Sequence, residues 1–492
     1  MIKPPKIFLY YLVIIGIFVG FSFLIPKEGL QIGTIPYRIK WISVHHILGI
    51  KADSVATKKI IQELPTDTTL SIALDTSIIA DSIKSNLTQK IDSLALEPDT
   101  VITPSIEYGE EFKPLLYQFY SNITNAADSG KILRILHMGD SQIEGDRITR
   151  YLRESFQEQF KGSGPGLIPV FDPQKHFPSV WISNNGKWSE HTVYQYPRTI
   201  KNNQYGIIGR VAKIDSSGIS SLKISQSHLA LPKASRFYKA RLYLKEIKTP
   251  LLVTAFWEGD QISKDSLLED EGLTEINWTF KQDPQRFSLN FMSDESPIFL
   301  GLSLDSLSGI AVDNISMRGQ STPRLDKTNK ALYKSMASYM NIGLVILQYG
   351  TNMVPTITSN YEFYSRTLYK QLQILKETMP NVPVLVVGVG DVATQTDGQV
   401  KSYTHITKIK EAQKEAAFKA GFAFFDLYEA MGGEGSMLKW VNNDPRMAML
   451  DYTHFNKAGG KKVADWLYTA ILHDYNKWKK STTFKPDNPH ND

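Results

Sequence analysis

A chain of 492 residues, 42% hydrophobic and 21% charged, is long enough for two or three folded units with a sizeable core. Its 55 basic and 50 acidic side chains leave a net charge of +5 with no long Lys/Arg run, which argues against nucleic-acid binding. The absence of cysteine excludes disulfides, thiolate metal sites, a Cys nucleophile and a lipid-modified N-terminal Cys.

Ile7 to Ile25 (IFLYYLVIIGIFVGFSFLI) is a run without charge. At about 1.5 Å per residue it just spans a hydrocarbon core. Lys3 and Lys6 precede it, while Lys27 and Glu28 follow and cancel. The positive-inside bias then predicts a cytoplasmic N-terminus and an exported remainder. A cleaved signal peptide is the alternative, but it expects a shorter apolar core and a small-residue cleavage site, and this run ends in FLIPKEG. Residues 1–29 are therefore read as an uncleaved single-pass anchor in a bacterial inner membrane, with the rest of the chain outside the cytoplasm.

Residues 30–106 are read as a juxtamembrane segment and a stalk. The apolar stretch 30–50, with Tyr37 and Trp41 near its membrane end, fits a segment lying in the interface or touching a membrane partner, and equally a short packed segment. Residues 51 to about 105 are rich in Ser, Thr, Asp, Ala and Ile and lack aromatics. Ile79, Ile83, Leu87 and Ile91 recur every four residues, as on a helix.

At 107–164 the texture changes. EEFKPLLYQFYSNITNA predicts a helix, KILRILHM (131–138) a short buried strand, and ITRYLRESFQEQF an amphipathic helix beyond the loop GDSQIEGDR. Residues 165–316 show short alternating or aromatic-rich runs separated by Gly, Asn, Asp and Pro, which predicts an all-β sandwich. From 317 to 477 the α/β rhythm returns, with strands NIGLVILQYG (341–350), VPVLVVGVG (382–390) and FAFFDL between helices. Apolar strands separated by helices predict a parallel sheet covered on both faces. The β unit is thus inserted into an α/β domain, and the polar tail 478–492 is read as loose.

In such a sheet, chemical groups gather at the carboxyl ends of the strands. Four segments lie at such ends. Gly139-Asp140-Ser141 follows a buried strand and precedes a helix, which sets a hydroxyl where N–H groups and the helix dipole favour negative charge. Alone, the same residues suit an ordinary N-cap serine. Gly350-Thr351-Asn352 offers an amide donor, or a plain Gly-Asn turn. Asp451-Tyr452-Thr453-His454 sets a carboxylate and an imidazole on one loop, as a general base and its orienter require. Gly319, in DNISMRGQS, offers a second backbone N–H, or a flexible domain junction.

Ser in a GDS block, then Gly, then Asn in a G-x-N block, then D-x-x-H near the C-terminus: in that order these segments resemble the SGNH (GDSL-like) hydrolase family over about 107–164 and 317–475. The resemblance implies a flavodoxin-like three-layer α/β fold and ester hydrolysis through an acyl-enzyme, with no metal and no cofactor. It assigns Ser141 as nucleophile, His454 as base and Asp451 as its orienter. The N–H groups of Ser141 and Gly319 and the Asn352 side chain become the oxyanion donors. The G-x-N block often continues with Asp, and Met353 stands there instead. Asp140 is read as structural, His137 as packed behind the nucleophile, and Gln142, Glu144 and Asp146 as shaping the mouth of the site.

In layout the chain resembles exported peptidoglycan O-acetylesterases with a carbohydrate-binding-like β domain between the Ser and Gly blocks. Those carry G-D-S-H, and Gln142 replaces that His here. Trp181, Trp188 and Trp257 are candidates to stack on sugars, against core packing at each. Three readings follow: an esterase on an acylated glycan; an O-acetyltransferase working with a membrane acyl-donor partner; and a non-catalytic glycan-binding protein. The sequence lacks G-x-S-x-G, a phosphate loop and H-E-x-x-H, which disfavours a typical α/β-hydrolase, a nucleotide hydrolase and a zinc protease.

Overall fold

The computed structural model describes residues 105–483 except 176, 216, 217 and 397, and before them only two short antiparallel strands, Leu30–Gln31 and Arg38–Ile39. The chain divides into Met1–Asp99 and Thr100–Asp492. The run expected to anchor the chain (1–29), the stretch read as a stalk (51–104) and the end of the tail (484–492) lie outside the described residues. Among the described residues no helix is long and apolar enough to cross a membrane.

The second unit begins with an edge strand β1 (Ile106–Glu107) and helix α1 (Lys113–Thr124). Pro114 suits the first turn of α1, where its missing N–H costs nothing. Leu116, Phe119, Tyr120 and Ile123 recur at helical spacing and form its buried face. Strand β2 (Ile132–Gly139) is buried at every position, as expected of a strand covered on both faces. Helix α2 (Thr149–Phe160) follows.

The insert then supplies β3 (Gly166–Ile168), β4 (Val180–Asn185), β5 (Trp188–Thr192), β6 (Arg210–Ile214) and β7 (Ser220–Gln226). It continues with β8 (Lys239–Ile247), β9 (Leu251–Trp257), β10 (Asp260–Leu267), β11 (Asp270–Thr279), β12 (Arg286–Met292) and β13 (Ile298–Asp305). These make two antiparallel sheets, in the orders β11-β8-β13-β6-β5, with β3 also on β13, and β10-β9-β12-β7-β4. Burial alternates along β7 and β12. Leu222, Ile224, Phe287, Leu289 and Phe291 of one sheet share a core with Leu242, Leu244, Phe299, Leu302 and Leu304 of the other, which is the sandwich the alternation predicts.

The α/β domain resumes with β14 (Gly309–Ser316), α3 (Lys330–Met340), β15 (Ile342–Gln348), α4 (Glu362–Thr378) and β16 (Val384–Val387). A hairpin, β17 (Ala393–Thr396) and β18 (Gln399–Ser402), precedes α5 (Ile406–Lys419) and β19 (Ala423–Phe425). The short α6 (Leu427–Met431) and α7 (Ser436–Asn442) lead to α8 (Lys457–Thr483). The core sheet runs β14-β2-β15-β16-β19-β1, parallel except for β1. The order reverses between β2 and β15, which makes the carboxyl ends of those strands the natural crevice of the sheet.

Two boundaries differ from the sequence reading. Gly309–Ser316, assigned above to the insert, pairs in parallel with β2 from Gly309↔Ile132 to Ser316↔Gly139, so the sandwich ends at β13. GIAVDNIS is short and apolar like its predecessors, and nothing local distinguishes a parallel partner from an antiparallel one. The last helix also runs past 477 into the expected tail. Tyr475 and Trp478 continue its apolar stripe, with Tyr475 5.6 Å and Trp478 5.9 Å from the Tyr120 ring.

Arg134 of β2 joins the two halves. Fully buried, it donates to Asp313 of β14 at 2.9 and 3.1 Å, and to Ser303 and Asp305 of β13. Arg241 of β8 reaches Asp305 at 3.0 Å. Burial alone would raise the Asp305 carboxyl, but Arg134 and Arg241 outweigh it and hold that group below the usual carboxylate range. For Asp313 burial wins over Arg134, and its carboxyl is raised. Removing the cation leaves two carboxyls buried with less charge to meet them. Arg134→Met is expected to cost about 3–5 kcal/mol in urea-induced unfolding. A loss under about 1 kcal/mol would mean that apolar packing, not this ionic group, joins sandwich and sheet.

Candidate active site

Ser141 follows β2 by two residues and sits in a tight turn. Helix α2 begins only at Thr149, with a single 3-10 turn, Glu144–Asp146, between them. The expectation that Ser141 opens the helix is therefore corrected. A helix dipole fades within a turn, so α2 adds little at this hydroxyl.

The hydroxyl meets His454 instead. Ser141 Oγ lies 2.7 Å from His454 Nε2, and His454 Nδ1 lies 2.8 Å from Asp451 Oδ2. The other carboxylate oxygen, Asp451 Oδ1, accepts the backbone N–H groups of Thr453 and His454, each at 3.0 Å. Partial burial would raise the Asp451 carboxyl, but these N–H donors and the imidazole outweigh it and hold it below the usual range. An ionised Asp451 on Nδ1 assigns the ring proton to that nitrogen and leaves the Nε2 lone pair facing Ser141. The arrangement can draw the hydroxyl proton away as Oγ attacks an electrophile.

The other two predicted segments converge on the same turn. Met317 N donates to Gly139 O at 2.8 Å, which brings the chain after β14 against the Ser141 loop. Gly319 there has φ +73°, a left-handed conformation that glycine takes without strain. One amide hydrogen of Asn352 is donated to Gln320 O at 2.9 Å, so the Asn352 side chain is tied to the turn that carries Gly319.

Asp140 is buried and joins loops. It accepts Gln142 N at 2.9 Å and Thr351 N at 3.2 Å. Burial pushes its carboxyl up to about 6 against those donors. His137 is packed behind the turn, with Nε2 3.0 Å from Gln348 Oε1 and Nδ1 2.9 Å from Thr149 Oγ1, and burial pushes it down to about 4.

The mouth differs from the expectation. Asp146 is buried, bonded to Arg153 at 2.5 and 3.0 Å and to Ser179 Oγ at 3.0 Å, so it braces the loop from within. Gln142 turns inward to the His454 loop. Glu144 lies 3.7 Å from Arg318. Arg147, which the sequence did not flag, donates to Ser141 O at 2.9 Å. Of the three tryptophans, Trp188 packs on Phe171, Phe291 and Phe299 and Trp257 on Phe280, while Trp181 is 40% exposed. Among the described residues no group of three or more His, Cys, Asp or Glu is arranged to hold a metal ion.

His137 and Asp140 make opposite demands on pH. The folded pKa of His137 is depressed, so its contribution is full above about pH 6.5 and is lost as pH falls towards about 4. The folded pKa of Asp140 is raised, so its contribution is present at low pH and is lost as pH rises towards about 6. Comparing His137→Gln with wild type isolates the first. Their difference in unfolding free energy is expected to change by about 3 kcal/mol between pH 7 and pH 4. A difference that does not vary with pH would mean that the ring is not held neutral.

No family model matches the chain, and no curated protein matches it. Solved structures do. A peptidoglycan O-acetylesterase is similar with a TM-score of 0.60 and 19% identity, over 76% of this chain and 99% of that chain. A family two carbohydrate esterase from Clostridium thermocellum (TM-score 0.24, 11% identity, 60% of this chain and 100% of that chain) and an acetyl xylan esterase (TM-score 0.25, 16% identity, 33% and 81%) are similar too loosely to carry an argument. Over most of its length the chain thus has the fold of that peptidoglycan O-acetylesterase.

Proposed function

We propose that this protein is a serine esterase that removes acyl groups, acetyl foremost, from a glycan outside the cytoplasm. The observation that carries this reading is the unbroken hydrogen-bond chain from Ser141 through His454 to Asp451 at the carboxyl ends of the core strands. In this reading His454 takes the Ser141 proton as Oγ attacks the ester carbonyl, and Asp451 steadies the imidazolium that forms. The N–H groups of Ser141 and Gly319 and the second amide hydrogen of Asn352 receive the oxyanion. His454 then returns the proton to the departing sugar oxygen. Water, activated by the same imidazole, releases the acid from Ser141.

The glycan is supported by the peptidoglycan O-acetylesterase whose fold this chain shares, and peptidoglycan or an exopolysaccharide is the substrate class. The uncharged run 7–25 behind Lys3 and Lys6 supports a single-pass anchor in the inner membrane, with this domain on the far side. A second reading has one observation in its favour. The apolar stretch 30–50 continues past the anchor, as a contact with a membrane acyl-donor protein requires. A sugar hydroxyl instead of water then accepts the acyl group, and the protein is an O-acetyltransferase. A non-catalytic glycan-binding role leaves the assembled Ser141, His454 and Asp451 without a purpose.

The test is acetate release by the full chain in detergent from O-acetylated peptidoglycan and from p-nitrophenyl acetate. Ser141→Ala and His454→Ala are expected to lower kcat by about 10³-fold or more. Asn352→Ala is expected to lower it by about 10²-fold. No release from folded wild type, but acyl transfer once a membrane donor is supplied, moves the assignment to the transferase. The wild-type rate is expected to fall on acidification, because only a neutral imidazole can accept the Ser141 proton. A rate that stays flat down to about pH 4 removes His454 as the base.

A further inference from the structure

The residue after the nucleophile is bound to the base loop on both sides of the base. Gln142 is buried, and its amide straddles the backbone of His454. Gln142 Nε2 donates to Thr453 O at 2.5 Å, and Gln142 Oε1 accepts Phe455 N at 3.3 Å. A carboxamide is the side chain that offers a donor and an acceptor side by side, and these two backbone groups need one of each.

The rest of the His454 loop is bonded mainly to itself. Met449 N donates to His454 O at 2.8 Å, Tyr452 N to Met449 O at 3.2 Å and Asn456 N to Met447 O at 3.1 Å, while Thr453 N and His454 N go to Asp451. Outside the loop, Ala393 N reaches Tyr452 O at 3.0 Å. Among the described residues, the hydrogen bonds that join this loop to the nucleophile turn are Ser141–His454 and the two of Gln142.

These three bonds do not all survive the reaction. Once Oγ carries an acyl group it has no proton to share with His454 Nε2, and the Ser141–His454 bond is gone. The imidazole must nonetheless stay in place to activate the releasing water. We propose that Gln142 is a positioning residue that holds His454 over the acyl-enzyme, and that its contribution falls chiefly on deacylation. The kinetic part rests on the esterase reading above; the structural part does not.

Two variants and two measurements test this. Gln142→Ala leaves Thr453 O and Phe455 N without their partner. Gln142→Glu keeps the volume but turns a carboxylate oxygen towards the Thr453 carbonyl. Rapid mixing of the full chain with p-nitrophenyl acetate separates the first release of nitrophenol from the steady state. In both variants the acylation rate is expected to stay within about threefold of wild type, while deacylation slows by about 10- to 100-fold, as a displaced catalytic group would cause. For Gln142→Glu the defect should deepen as pH rises and the carboxylate forms, a dependence that wild type lacks. Hydrogen exchange over 449–456 reads the clamp without any turnover. Exchange of the Phe455 amide should quicken by about 10-fold or more in Gln142→Ala while the α/β core strands are unchanged. Equal slowing of acylation and deacylation overturns the kinetic role. Unchanged exchange over 449–456 in both variants overturns the clamp itself. Quickened exchange in a protein that hydrolyses no ester upholds the clamp and counts against the esterase reading alone.

Discussion

A single buried guanidinium determines how the two halves of this molecule meet. Arg134 lies in the middle of β2, within the interior of a parallel sheet, where a cation is costly unless its hydrogen bonds are met. The compensating groups come from both directions, Asp313 from the neighbouring core strand and Ser303 and Asp305 from the sandwich. Asp313 also accepts Leu167 N at 2.9 Å from β3, which draws the first strand of the insert into the same cluster. Gln157 of α2 adds two bonds, to Gly164 O and Ile310 O, where the chain leaves the α/β domain and returns. Apolar surfaces slide at little cost, whereas an arrangement of directed, charged bonds has one register. The strands that the cluster fixes are β2 and β14, and these deliver Ser141 and Gly319.

The candidate site is built on the same plan at smaller scale. Ser141 stands between two residues that each reach a different loop. Asp140 extends to Thr351, at the turn that presents Asn352, and Gln142 extends to the loop of His454. The residues on either side of Ser141 thus tie its turn to the loops of Asn352 and His454, while Ser141 itself bonds His454. The four segments of the candidate site lie far apart along the chain, so local order alone cannot align them. Polar side chains reaching across the strand ends do so.

Much of this was legible in the sequence, and the reasons are specific. The strands at 131–138, 341–350 and 382–390 are continuous apolar runs, which only a doubly covered strand needs, and they form the centre of the sheet. The alternation along β7 and β12 marked a sandwich because each strand has one wet face. The loop Asp451–His454 was readable because its carboxylate and imidazole meet across three residues. Other features were hidden because they depend on distant partners. Whether GIAVDNIS pairs with the sandwich or with β2 is decided by Arg134 and Asp313, 179 residues apart. The inward turn of Gln142 and the burial of Asp146 against Arg153 reverse the usual bias of polar loop residues towards solvent. The reach of α8 to Thr483 depends on aromatic rings of α1 that no local pattern announces.

Placing β14 beyond the insert sets an order of assembly. Strand β2 has neighbours on both sides, β14 and β15, and both are made only after the whole sandwich has been synthesised. Until then β2 has both edges open and a buried-type arginine without its full set of carboxylates. Pairing over so long a separation is entropically slow, and an open strand edge invites wrong partners. The sandwich, whose contacts are more local, is the part able to fold first and to bring its two ends together, since Ile310 N bonds Lys161 O and Ser306 N bonds Ser163 O at its base. Its closure converts a distant pairing into a near one. The insert then serves as an internal template for the sheet that surrounds it, and shortening or loosening it would show first in the yield of folded protein.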